Sequence, residues 1–324
     1  MNDHAGEPRR AARGERQMGH HRDGAAKSSA PQHSSAGFRS TGAFGAPVHA
    51  TQDHRGPPPH RFAPFMAKVA TRLGLAGTDQ AELLAIARAP RQFAKGEFIT
   101  HEGSMTTALV FLCSGTAYAA RTLEDGSQQI VAVFLPGDLL NPGDLVLRSA
   151  RASIYVSASA VVLEVPHAEL LPLLATRPAI IRALWCETAL HAAIQREWLI
   201  WLGRRSAQAR LAHFLCEVSY RMQHWSGSSQ ETVAFPFTQR ELADALGLSY
   251  VHVNRVLQHL RSTKLIELVQ GRLTIRSREF YAIAEFDPGY LQTATLADPL
   301  PGMSSRFAGS DIRTPHGPEA DLRN

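Results

Sequence analysis

Residues 238–262 read TQRELADALGLSYVHVNRVLQHLRS, and the second half of this stretch concentrates side chains able to read a polar edge. Arg255 can donate two hydrogen bonds to guanine O6 and N7. Asn254 or Gln258 can donate and accept at once, which suits adenine, and Val251 can touch a thymine methyl. At about 100° per residue, Val253, Val256, Leu257 and Leu260 fall in one sector of a helix. Val251, Arg255 and Gln258 fall opposite, with Tyr250, His252 and Asn254 on the flanks and N-terminal end. One apolar residue, Val251, therefore sits on a polar face rather than in the core stripe.

The flanking residues supply the elements that would position such a face. Thr238-x-x-Glu241 is a capping box opening a first helix, in which Leu242 and Leu246 point inward and Ala243 permits close packing. Gly247 allows the left-handed residue that ends it, Leu248 plugs the corner, and Ser249 caps the second helix. Two such helices form a helix-turn-helix, whose second helix enters the major groove of DNA. Thr238, Gln239 and Arg240 then stand at a helix N-terminus, where phosphate contacts are expected. Ser249, Tyr250, Val251, His252, Asn254, Arg255 and Gln258 complete the expected contact set. Downstream, KLIELVQGRLTIRSRE reads as a two-strand wing turning at Gln270–Gly271, with Lys264, Arg272, Arg276 and Arg278 able to track a backbone. An ordinary helical hairpin in a core explains the caps and the leucines, but not an exposed valine beside Arg, Asn and Gln.

Charge distribution agrees. Residues 204–280 carry 11 Lys and Arg against 6 Asp and Glu, whereas residues 63–203 carry 11 against 12. A basic C-terminal segment suits a polyanionic partner. The three cysteines, Cys113, Cys186 and Cys216, are odd in number and far apart, as expected of free thiols in a reducing cytoplasm. No apolar run reaches the ~20 residues that span a bilayer, so no membrane partner is expected. No metal-ligand spacing is present, and no cofactor is expected. The nearest catalytic candidate, His101–Glu102, lacks further ligands, and no nucleophile–base pair stands out, so the chain is read as no enzyme.

Residues 1–61 are rich in Gly, Ser, Pro, His and Arg and are expected to be disordered. Residues 91–165 change to short β-type runs punctuated by glycine, with Asp125–Gly126 marking a hairpin. Many short strands suggest a small barrel or roll. A long helical pattern follows Pro178. Ile181, Leu184, Thr188, Gln195, Trp198 and Leu202 lie near one stripe, and Trp185, Ala192 and Leu199 form a second beside it. One stripe can cover the roll and the other a partner helix, or both can form one broad buried face.

Taken together these motifs resemble the Crp/Fnr family of bacterial transcription regulators. The most specific segments are LGRRSAQARLAHFLCEV, the helix-turn-helix and the wing LIELVQGRLTI; KGEFITHEG, LCSGTAYAARTLEDG and LPGDLL add likeness to a cyclic-nucleotide-binding-type β-roll. The resemblance implies an α+β fold: a β-roll sensor domain at 62–175, a dimerisation helix at 176–203, a winged helix-turn-helix at 204–286 and a tail at 287–324. It also implies a homodimer on an inverted-repeat operator, contact with RNA polymerase, and a small-molecule effector. Arg255 matches the arginine that reads a guanine, while Val251 stands where the best-known members have glutamate. The implied effector pocket comprises Gly143, Asp144, Leu145, Arg151 and Ser153. Cyclic-AMP binders carry Gly-Glu-Leu and then Arg-Ser; here the first is Gly143–Asp144–Leu145, and Arg151 comes one place early, a shift that turns a strand side chain to the other face. The iron–sulfur branch needs an N-terminal cysteine cluster, and residues 1–112 contain no cysteine. The alternative is a small-molecule sensor that acts through protein contacts rather than DNA.

Overall fold

The computed structural model describes residues 70, 74–225 and 231–292. The N-terminal extension and most of the tail lie outside them. A short helix α1 (Gly77–Ala85) precedes five strands: β1 (Arg91–Phe93), β2 (Phe98–Thr100), β3 (Ala108–Ser114), β4 (Ala117–Thr122) and β5 (Gln128–Phe134). One helical turn, α2 (Asp144–Leu147), leads to β6 (Ser153–Val156) and β7 (Ala160–Pro166). The strands form two antiparallel sheets, ordered β1-β7-β3 and β2-β6-β4-β5.

The two sheets are built by period-two alternation. In β3, Val110 and Leu112 join a cluster with Phe93, Phe134, Ile154 and Val162, drawn from both sheets. Leu109 and Phe111 face the other way, into a cluster with α1 and the following helices. The Asp125–Gly126 hairpin closes through a five-residue loop, with Thr122 paired to Gln128 and Ser127 bonded to the Asp125 carboxylate. Gly115, between β3 and β4, has φ +86, and a Cβ there would lie 2.1 Å from the Ser159 carbonyl oxygen. Only glycine fits so close a backbone approach.

Three helices follow: α3 (His167–Thr176), α4 (Pro178–Arg204, 27 residues) and α5 (Ala207–Trp225). Pro178 occupies the first turn of α4, where its missing N–H costs nothing. The buried stripe of α4 is Ile180, Ala183, Glu187, Leu190, Ile194, Trp198 and Trp201. This differs from the stripes read in the sequence, of which only Trp198 is buried. The real stripe includes a carboxylate, Glu187, which apolar spacing passes over.

The C-terminal part comprises β8 (Thr232–Ala234), α6 (Gln239–Leu246), α7 (Tyr250–Ser262), β9 (Ile266–Val269), β10 (Arg272–Ile275) and α8 (Glu279–Ile283). The wing turns at Gln270–Gly271, both left-handed, and β8 adds a third strand in the order β8-β10-β9. Within the segment expected as tail, Pro288–Leu291 forms a 3-10 turn with Leu291 buried.

Candidate functional site

Local chemistry sets the α6–α7 corner. Thr238 Oγ1 accepts from the Glu241 N–H at 3.1 Å, and Glu241 Oε2 accepts from the Thr238 N–H at 2.6 Å. Gly247 ends α6 at φ 61, ψ 40. A Cβ added there would meet the Leu202 side chain at 3.4 Å, so the end of α4 lies under the corner. Ser249 Oγ accepts from the His252 N–H at 3.2 Å and opens α7.

Helix α7 buries Val253, Val256, Leu257 and Leu260. Tyr250 and Val251 are 56% and 55% exposed, and His252, Arg255 and Gln258 are exposed beside them. Gln208, Ser249, Val251, His252, Arg255 and His259 line a shallow depression of about 380 Å³. Among the described residues, the side chains of Arg255 and Gln258 have no ion pair or hydrogen bond. Thr238 and Arg240 are exposed at the start of α6. Gln239 is half-buried and donates from Nε2 to Asn254 Oδ1 at 3.4 Å, which brings two expected site residues together across the helices. On the wing, Arg276 pairs with Glu267, and Arg272 donates to the Thr232 carbonyl. Lys264 and Arg278 are exposed.

A second concavity, of about 440 Å³, lies between β4, β5, the β5–β6 segment and the middle of α4. Gly143, Asp144 and Arg151 line it, Arg151 in spite of its one-place shift; Leu145 and Ser153 do not. Leu145 packs instead into the cluster outside the β1-β7-β3 sheet. Ala152 and Ile154 line the cavity, so Ser153 between them faces away, and its Oγ accepts from the Glu102 N–H at 3.0 Å. Sequence reasoning missed Asn141, Arg121 and three residues of α4: Thr188, His191 and Gln195. Asn141 fixes the rim: its Oδ1 accepts from Val110 N at 2.9 Å and its Nδ2 donates to Ala108 O at 3.0 Å. Burial raises the Asp144 pKa, partly offset by Asn141. His191 lies 3.5 Å from the Glu187 carboxylate.

The two concavities are joined by one sheet. Ala119, Arg121 and Val131 line the cavity, while Ala120, Ile130 and Val133 join the core that holds α5, α6 and α7. Ser157 donates to Glu241 Oε1 at 2.9 Å, so the capping-box carboxylate also ties α6 to the β-strands. Gln129 Nε2 donates to the Ala245 carbonyl at 3.3 Å. Deeper in the seam, Arg221 and Asp138 are 2% and 1% exposed and form an ion pair. Arg221 also binds Glu217 at 3.0 Å and the Val133 carbonyl at 3.0 Å. Trp198 Nε1 and Tyr290 OH both donate to Glu217 Oε2. Burial raises the Glu217 pKa, against which Arg221, Trp198 and Tyr290 act.

Among the described residues, no cluster of three His, Cys, Asp or Glu is placed to hold a metal ion. No described helix is long and apolar enough to cross a membrane. The three cysteines are free thiols, and burial pushes Cys113 up to about 12.

Residues 209–280 match the Crp-like helix-turn-helix domain, and residues 90–177 match the cyclic nucleotide-binding domain. The chain is similar to the nitrogen fixation regulation protein FixK of Bradyrhizobium diazoefficiens, with 30% identity over 202 residues, 61% of this chain and 83% of that one. It is similar to the transcriptional activatory protein AadR of Rhodopseudomonas palustris, with 28% identity over 196 residues, 60% of this chain and 80% of that one. Among solved structures, FixK2 from Bradyrhizobium japonicum superimposes with a TM-score of 0.56 at 25% identity, covering 62% of this chain and 98% of that one.

Proposed function

The chain belongs to the Crp/Fnr family of transcription regulators, and from that premise we propose that it reads an inverted-repeat operator as a homodimer whose occupancy answers to a small effector. The observation that carries the reading is the exposed face of α7. Its four buried residues leave Val251, Arg255 and Gln258 on the opposite side, with the Arg255 guanidinium uncommitted among the described residues. That guanidinium suits a guanine edge, Gln258 a donor–acceptor edge and Val251 a thymine methyl. Thr238 and Arg240 suit phosphate contacts at the α6 N-terminus, with Ser249, Tyr250 and His252 flanking the groove entry.

A homodimer is supported by the exposed seam of α4. Ile181, Trp185, Thr188, Ala192, Gln195 and Leu199 follow the 3-and-4 spacing of a coiled coil, and Trp185 and Leu199 are 69% and 72% exposed. The cavity is the effector site in this reading; Thr188, Ala192 and Gln195 belong both to it and to the seam. In this reading the protein also contacts RNA polymerase and works in the cytoplasm. Fluorescence anisotropy on genomic fragments at stated salt tests the reading: one fragment should bind far more tightly than random DNA, and affinity should fall as salt rises, because phosphate contacts release counterions. Equal binding to every fragment would overturn it.

A further inference from the structure

Among the described residues, one side-chain hydrogen bond crosses between α6 and α7, and it joins a residue expected at phosphate to one expected at a base. Gln239 is half-buried at the first position of α6. Its Nε2 donates to Asn254 Oδ1 at 3.4 Å, and its own Oε1 is buried with no hydrogen-bond partner among the described residues. An amide buried in this way is wedged between the two helices rather than extended toward solvent. Asn254 precedes Arg255 on α7, and its Nδ2 has no partner among the described residues.

Asparagine recognises adenine by donating to N7 while accepting from N6. Here the accepting half, Oδ1, is turned to Gln239. What remains for the groove is the NH₂ group, a donor, which matches both guanine acceptors, O6 and N7, or thymine O4; at adenine only N7 accepts it, and the N6 amino group is left unmatched. We propose that Gln239 is a specificity-determining positioning residue: it touches no DNA, but by holding Asn254 Oδ1 it removes the bidentate match to adenine and leaves Asn254 a donor that favours guanine or thymine. This rests on the DNA-reading assignment of α7 above.

The polarity of the amide pair gives the test. Gln239→Glu keeps the shape but can only accept, so Asn254 must donate inward and present Oδ1 outward. The preferred base should then carry an amino group, cytosine or adenine. Gln239→Ala frees Asn254 to read adenine bidentately. Wild type, both variants and Asn254→Ala are carried through selection from a randomised operator library, with thermal unfolding as a check on folding. The expected result is a change of preferred base at a single position per half-site, about tenfold in relative affinity, absent when Gln239→Ala is made in the Asn254→Ala background. Uniform weakening at every sequence, with the salt slope reduced by about 1 and the base profile unchanged, would make Gln239 a phosphate contact and overturn the proposal. If wild type selects a sequence but Gln239→Glu leaves its profile intact, the proposal also fails while the DNA-reading assignment stands. Selection of no sequence by wild type would remove both.

Discussion

At the scale of single residues, the α7 surface is defined by what it leaves uncommitted. The side chains of Arg255 and Gln258 have no protein partner among the described residues, and Val251 forgoes burial beside them. A valine side chain is worth about 1.5–3 kcal/mol when fully buried, so its exposed position suits contact with a partner. Val251→Glu should therefore leave thermal stability within about 0.5 kcal/mol, as for an ordinary surface change. In operator selection it should alter the preferred base at the position Val251 faces. A drop in melting temperature with an unchanged base profile would assign Val251 to the core instead.

At the scale of elements, the helix-turn-helix and the β-strands are held as one unit by a buried polar seam. Arg221 on α5 binds Asp138 and Glu217, and removing it takes the counter-charge from two buried carboxylates. Arg221→Ala should lower the stability measured by chemical denaturation by about 3–5 kcal/mol. A loss within surface-mutation range would show that water or rearrangement supplies the missing charge. His213 offers a pH test of the same region. Burial, with Arg205 beside it, lowers its pKa to about 4, while Glu197 and Tyr290 also face it. Because the unfolded chain takes up the proton near pH 6.5 and the folded chain only near 4, stability is full above about 6.5 and declines as pH falls toward 4. The decline attributable to this ring is about 3 kcal/mol at most. His213→Gln should flatten the slope between pH 7 and 5; an unchanged slope would place the titration elsewhere.

These elements also show what was legible beforehand. The caps at Thr238 and Ser249, the left-handed Gly247 and the Gln270–Gly271 turn are written in local residue types, and local chemistry suffices to read them. The buried stripe of α4 was not legible, because Glu187 sits in it and Ile181 outside it, a choice made by the surfaces that α4 meets. Arg221 and Asp138 look like surface charges in the sequence; only the approach of residues 83 positions apart makes them a buried pair. The cavity was half legible: glycine and aspartate at 143 and 144 marked its rim, while His191 and Gln195 arrive from a helix distant in sequence.

At the scale of the whole molecule, one sheet separates the cavity from the core that holds the helix-turn-helix, with residues of β4 and β5 facing each side. In the proposed reading two copies must associate to meet an inverted-repeat operator, and the exposed α4 seam offers a surface for it. Trp185→Glu or Leu199→Glu should shift the protein toward monomer in sedimentation equilibrium and weaken operator binding together with it. Loss of neither would move the dimer contact off α4. The most direct measurement of the central claim is the affinity of Arg255→Ala for a selected operator, compared with wild type and with random DNA. The expected result is a loss of about 1–3 kcal/mol on the operator and relaxed choice at one guanine, with folding and non-specific affinity little changed. Undiminished operator binding by the folded variant would contradict the account.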